Sequence, residues 1–235
     1  MIKIEKTNVF GWEAAIRGMR NPMNSWDKSD SRYKPVTIPP SNDIEIKYVV
    51  GKNDLGLMKK LSKAGTDHGK FMRMINVTCD ITAPMYLWSE FDTYKVGTVA
   101  NSTSKMHKIH EEPIDIANFS IDDDIRYMKF QQEVIYGFEM PDDFIEVNEC
   151  LIPLFILLEQ LQAKFNKTKD KKYWRALIQL LPNSYNQKRT VQLNYAVLKN
   201  IYHSRKKHKL DEWHDFCHWV ERLPYSELIT GDNNE

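Results

Sequence analysis

The segment Ile75–Ala83 constrains this chain more than any other. Its odd positions, Ile75, Val77, Cys79, Ile81 and Ala83, are apolar, and its even positions, Asn76, Thr78, Asp80 and Thr82, are polar. Strict alternation of this kind marks a strand with one face in a core. Pro84 follows at once. Its missing N–H costs nothing in the first turn of a helix, so a short helix is predicted next, with Leu87, Trp88 and Phe91 facing inward.

Helical spacing organises most of the rest. Trp12, Ile16 and Met19 share one face of a predicted helix over Trp12–Arg20, which Asn21-Pro22 ends. The polar, Pro-rich stretch Asn24–Asn42 reads as loop. A second helix is predicted over Asn53–Ala64, with Asn53 as cap, Leu57, Met58 and Leu61 as the stripe and Gly65 as the stop. Further helices are predicted over Leu151–Phe165, Tyr173–Leu181, Arg189–His208 and Leu210–Val220. The last of these buries Leu210, Trp213, Cys217 and Val220. Ser120 would cap another helix, with Asp123 at the capping-box position. No internal repeat occurs. The organisation expected is a single domain over 1–235, with a loop-rich segment 21–43 and an acidic linker 110–120.

Composition excludes several classes. The 235 residues carry 33 Lys+Arg against 32 Asp+Glu, and 42% are hydrophobic, which rules out wholesale disorder. A net charge of +1 argues against a general nucleic-acid coat. The longest apolar run, Leu151–Leu158, is too short to span a bilayer and contains Pro153. Cys79, Cys150 and Cys217 are odd in number and scattered, the usage of a reducing compartment. The N-terminus lacks the apolar core of a secretion signal. The expected location is the cytoplasm, with no membrane association.

Four features bear on chemistry. The stretch Val96–Ser104, VGTVANSTS, is small and hydroxyl-rich and precedes Lys105. It is either a plain connector or a loop whose N–H and hydroxyl groups meet an anion; in the second case Thr103, Ser104 and Lys105 contact phosphate. Asn194, Leu198, Ile201 and Arg205 fall at i, i+4, i+7 and i+11. That puts two polar residues, Asn194 and Arg205, on an otherwise apolar stripe, where the guanidinium needs an acceptor, either a carboxylate or a ligand. The Asp122–Asp124 run reads as the acids that helix N-termini favour rather than as a metal site. His214 and His218 have zinc-compatible spacing but no third ligand, so a polar helix face is the preferred reading. Cys79 and Cys217 read as core, not as nucleophiles, and no metal is expected.

Taken together, the strand, the short helix, the hydroxyl loop and a late helix with Asn and Arg resemble the flavin-dependent thymidylate synthases. That family carries R-H-R-x-x-S-x-N-E-x-S-x-R-Y after a strand and a short helix. The stretch Thr93–Met106, TYKVGTVANSTSKM, occupies that place, with Lys95, Lys105, Thr98 and Thr103 keeping chemical type. Leu181-Pro182, Asn194, Asn200 and Arg205 keep the family's later spacing, and Ala64–His68 resembles its Gly-His-rich turn.

The resemblance implies an α+β fold, with helices packed on a small, mostly antiparallel sheet, in a homotetramer. It implies FAD as cofactor, a dUMP-like pyrimidine nucleotide as substrate, and NADPH and methylenetetrahydrofolate as co-substrates. By the same resemblance Tyr94, Lys95, Asn101, Asn194 and Asn200 fall at cofactor-facing positions. Lys105 falls at nucleotide phosphate and Arg205 on the pyrimidine base, where it would stabilise developing charge. The sequence departs from the family at Thr93, where an Arg is expected, and at Ile178, which stands where the family has Arg, with Arg175 a turn earlier. Arg-to-Lys replacement also loses the bidentate fork. The alternatives are a non-catalytic oligomeric nucleotide- or flavin-binding scaffold of the same fold and a single-stranded nucleic-acid binder using Arg189, Lys206 and Lys207.

Overall fold

The structure, a computed structural model, describes residues 2–38, 40, 43–122, 129–130 and 145–231. The fold is α+β, helices with a small antiparallel sheet. The chain divides into two compact units.

Unit 1 comprises residues 1–81, 91–101 and 189–235. Strand β1 (Lys3–Phe10) leads into helix α1 (Trp12–Arg20) through Gly11. Gly11 has φ 94°, and a Cβ there would run into the carbonyl oxygen of Met74, so only glycine serves. Strands β2 (Arg32–Ile38) and β3 (Asp43–Val49) form an antiparallel hairpin in which Tyr33 pairs with Tyr48. Helix α2 (Lys52–Lys63) follows. Strand β4 (Asn76–Pro84) is the alternating strand read from sequence: Ile75, Val77, Cys79, Ile81 and Ala83 are all buried. The four-stranded sheet has the order β1-β4-β8-β5, with β5 at Val99–Ser102 and β8 at Asn186–Asn194. Helices α7 (Tyr195–Arg205), α8 (Asp211–Glu221) and α9 (Glu227–Thr230) complete the unit.

Unit 2 comprises residues 82–90 and 102–188. It holds most of helix α3 (Met85–Phe91), then α4 (Lys105–Lys108), the short pair β6 (Lys129–Phe130) and β7 (Ile145–Glu146), α5 (Val147–Thr168) and α6 (Lys171–Leu180). Its core is Ile109, Ile114, Phe119, Leu158 and Leu177. The acidic stretch 110–120 therefore does more than connect, because Ile114 and Phe119 anchor it. Trp88 is fully buried, and its indole N–H donates to the Gln187 carbonyl at 2.9 Å.

Four expectations from sequence change. Residues 24–42 are not all loop. Alternation about Pro35 gives β2, and Pro is tolerated there because a lone hairpin leaves each strand an outer edge. The predicted helix over Arg189–His208 is a strand, then a helix. Val191 and Leu193 point inward while Thr190 and Gln192 do not, a period of two, and the Asn194 side chain then accepts from Val197 N at 3.0 Å to start α7. Asn53 does not cap α2. The Asp30 carboxylate does, accepting from Asn53 N at 2.9 Å and Asp54 N at 3.1 Å. The Val96–Ser104 loop contains β5. The helix expected after Ser120, with Asp123 and Asp124 in its first turn, lies outside the described residues. No helix among those described is long and apolar enough to cross a membrane.

One buried ion pair fastens α1 to α2. Arg20 Nε donates to Asp54 Oδ1 at 2.6 Å, and both side chains are buried. The other carboxylate oxygen accepts from the hydroxyls of Ser29 and Ser31 and from the backbone N–H groups of Asp30 and Ser31. Burial raises the carboxyl's pKa, but hydrogen bonds from Ser31, Ser29 and Arg20 outweigh it and hold Asp54 below the usual carboxylate range.

Candidate functional site

The site is built around the end of α7. Leu198 and Ile201 are fully buried, so the stripe delivers Arg205 to a half-buried position at its end. Its Nε donates to the Tyr94 hydroxyl at 2.8 Å. Its guanidinium carbon lies 4.9 Å from the Trp213 ring centre and 5.6 Å from that of Tyr94. Trp213 is in turn stacked on Phe91, with ring centres 6.2 Å apart and planes within 7°. A guanidinium set on aromatic faces keeps its planar fork oriented with little loss of rotamer freedom.

Asn194 and Gly97 form a second element of unit 1. Asn194 is buried, its Oδ1 capping α7. Gly97 has φ 82°, and a Cβ there would stand 2.9 Å from Asn194 Nδ2 and 3.1 Å from Val197 Cγ2. Beside it, the buried Thr98 hydroxyl has no hydrogen-bond partner among the described residues. A donor at Asn194 Nδ2, an orphaned hydroxyl and a bare backbone at Gly97 are groups that a polar ligand satisfies. Lys95, Asn101 and Asn200 are exposed.

The three phosphate-binding candidates, Thr103, Ser104 and Lys105, belong to unit 2. The Thr103 hydroxyl donates to the Lys188 carbonyl at 3.2 Å, which commits its proton. The Ser104 hydroxyl accepts from His107 N at 3.1 Å as the cap of α4 and keeps its own proton to donate. Lys105 opens that helix and is half-buried.

Sequence reading missed a basic cleft of about 1190 Å³ in unit 1. Lys28, Lys52, Lys60, Lys70 and His68 line it, and Met19, Leu57, Leu61 and Phe71 supply apolar surface. Lys70 pairs with Asp67 at 3.6 Å; Lys28, Lys52 and Lys60 have no ion-pair partner among the described residues. Lysines spread over three separate segments leave no motif, although His68 ended the Gly-His-rich turn. The thiols of Cys79 and Cys217 are buried, and burial pushes them up to about 12 and about 11, which suits core and not nucleophile. No group of three or more potential metal ligands occurs among the described residues.

No protein-family profile and no curated protein matches this sequence. Solved structures do match. Thymidylate synthase X from Helicobacter pylori, crystallised with FAD and dUMP, is 14% identical over 98% of each chain, with a TM-score of 0.63. A second structure of the flavin-dependent thymidylate synthase from that organism, complexed with FAD and dUMP, is 13% identical over 97% of this chain and 98% of that one, also at 0.63. A UMP/dUMP methylase from Streptomyces cacaoi bound with 5-Br dUMP is 14% identical over 98% of this chain and 95% of that one, at 0.57. At this identity the likeness is one of architecture, and the chain has the fold of the flavin-dependent thymidylate synthases.

Proposed function

We propose that this protein is a flavin-dependent enzyme that methylates, or otherwise modifies, the C5 position of a dUMP-like pyrimidine nucleotide. The observation that carries this reading is the end-to-end likeness of fold to proteins crystallised with FAD and dUMP. The residues present fit an anionic flavin dinucleotide. The basic cleft offers cations beside apolar surface, and the Thr98 hydroxyl, Asn194 Nδ2 and the bare backbone of Gly97 offer polar groups and room for close approach. These residues would hold the cofactor, together with Tyr94, Lys95, Asn101 and Asn200. When bound, FAD would carry the reducing equivalents from NADPH that complete a methyl group from methylenetetrahydrofolate.

The chain's own work is to bind, orient and polarise. Arg205, fixed by Tyr94 and Trp213, would donate to a carbonyl of the pyrimidine ring and stabilise negative charge gathering there. Lys105 and the Ser104 hydroxyl are the proposed phosphate contacts, and the proposed assembly is a homotetramer. The second reading is a non-catalytic oligomeric binding or scaffold protein that keeps the fold without the flavin chemistry; the absence of arginines at Thr93 and Ile178 favours it.

Absorbance and FAD titration of the purified protein decide between them. A yellow preparation, or saturable FAD binding followed by dUMP-dependent quenching of flavin fluorescence, is the expected result. A colourless protein that ignores both FAD and dUMP overturns the enzyme reading.

A further inference from the structure

Unit 1 holds a second cavity, lined by none of the residues assigned above to flavin or nucleotide. It measures about 1030 Å³, at the upper end of the roughly 300–1,000 Å³ of ordinary small-molecule sites. Its walls come from the end of β1, the first turns of α1, the β2–β3 hairpin and the segment that follows α8.

The rings of Trp12, Tyr33, Tyr48, Trp219 and Tyr225 line this space, and they are held in place. Trp12 meets Tyr225 edge-on at 5.0 Å, and Tyr33 meets Tyr48 at 5.2 Å. The Trp219 indole donates to Thr7 Oγ1 at 3.0 Å, and Val50 N donates to the Tyr225 hydroxyl at 3.3 Å. Tyr225 itself has φ 52°, a left-handed conformation that a residue with a Cβ keeps only where its surroundings impose it.

The charges on the walls divide into engaged and open. Glu13 accepts from the Tyr33 hydroxyl at 3.0 Å, and Lys47 pairs with Glu45 at 3.3 Å. Arg17 and Arg222 line the cavity and have no side-chain hydrogen bond or ion pair among the described residues. A guanidinium offers a planar fork that matches carboxylate, phosphate or sulfonate. Aromatic walls suit a flat apolar body. We propose that this cavity binds a planar aromatic molecule carrying an anionic group, its ring system against the aromatic walls and its anion on Arg17 and Arg222. The site stands apart from the flavin and nucleotide reading, and either can fail without the other.

The probe is anilinonaphthalene sulfonate, an anion with a planar naphthalene ring system that fluoresces when bound, with the uncharged phenylnaphthylamine as its control. The full chain is expected to bind the sulfonate at least about tenfold more tightly than the neutral compound, a difference one well-placed charge contact supplies. Replacing both exposed arginines, Arg17→Gln with Arg222→Gln, should remove that preference and leave the melting temperature unchanged. Ala14→Trp, which fills the cavity from α1, should abolish binding of both probes. Lys52→Gln with Lys60→Gln, which alters only the basic cleft, should leave binding intact. Equal affinity for the two probes, binding that survives the arginine replacements, or binding lost with the cleft lysines would each overturn the proposal.

Discussion

The Tyr94 hydroxyl accepts a hydrogen bond from Arg205 Nε at 2.8 Å, and this joins the segment after α3 to the end of α7. The Arg205 guanidinium carbon also lies 4.9 Å from the Trp213 ring centre. Arg205→Lys should therefore preserve the fold while lowering dUMP turnover by on the order of a hundredfold or more, because an ammonium cannot reproduce the fork. Turnover per folded molecule, set beside the melting temperature, checks this. Near-normal turnover with a lowered melting temperature would make Arg205 structural.

Gly97→Ala places a Cβ 2.9 Å from Asn194 Nδ2 at a left-handed φ. The conformation alone costs about 1–2 kcal/mol. The crowding also falls on the side chain that caps α7. Chemical denaturation should show that loss, and FAD titration should show weaker binding.

Asp54→Asn leaves the buried Arg20 guanidinium without its carboxylate. Removing one partner of a buried pair costs roughly 3–5 kcal/mol, enough to unfold a marginal protein. The wild-type pair also sets an acid limit. Asp54 is held below its ordinary value in the folded state. Its contribution is thus complete above the unfolded-state pKa of about 3.9 and is lost as pH falls through the lower folded-state value. Denaturation curves taken across that range should show stability falling with pH, and the Asp54→Asn protein should lack this component.

Lys105→Ala should weaken dUMP binding by about 1.5–3 kcal/mol, the scale of a charge-assisted hydrogen bond. Calorimetric titration against the unsubstituted chain measures it, and an unchanged affinity removes Lys105 from the phosphate contacts.

The proposed homotetramer should scatter light at four times the chain mass of 27.7 kDa. A monomer at every working concentration would remove that part of the proposal.

The sequence by itself determined the elements whose periodicity is local. The alternation of Ile75–Ala83 gave β4, and the stripe of Trp12, Ile16 and Met19 gave α1 over Trp12–Arg20, because burial on one face repeats at the period of the backbone. It also brought Arg205 to the end of an apolar stripe. Tertiary structure decided the remainder. The stretch 189–194 lies just ahead of the helical stripe that begins at Asn194, and lateral pairing in the four-stranded sheet made it a strand instead of the helix's first turns. Asp30 caps α2 from a loop more than twenty residues away. The cleft lysines and the cavity arginines come from separate segments. Such groups have no spacing to read, since only the folded chain brings them to one surface.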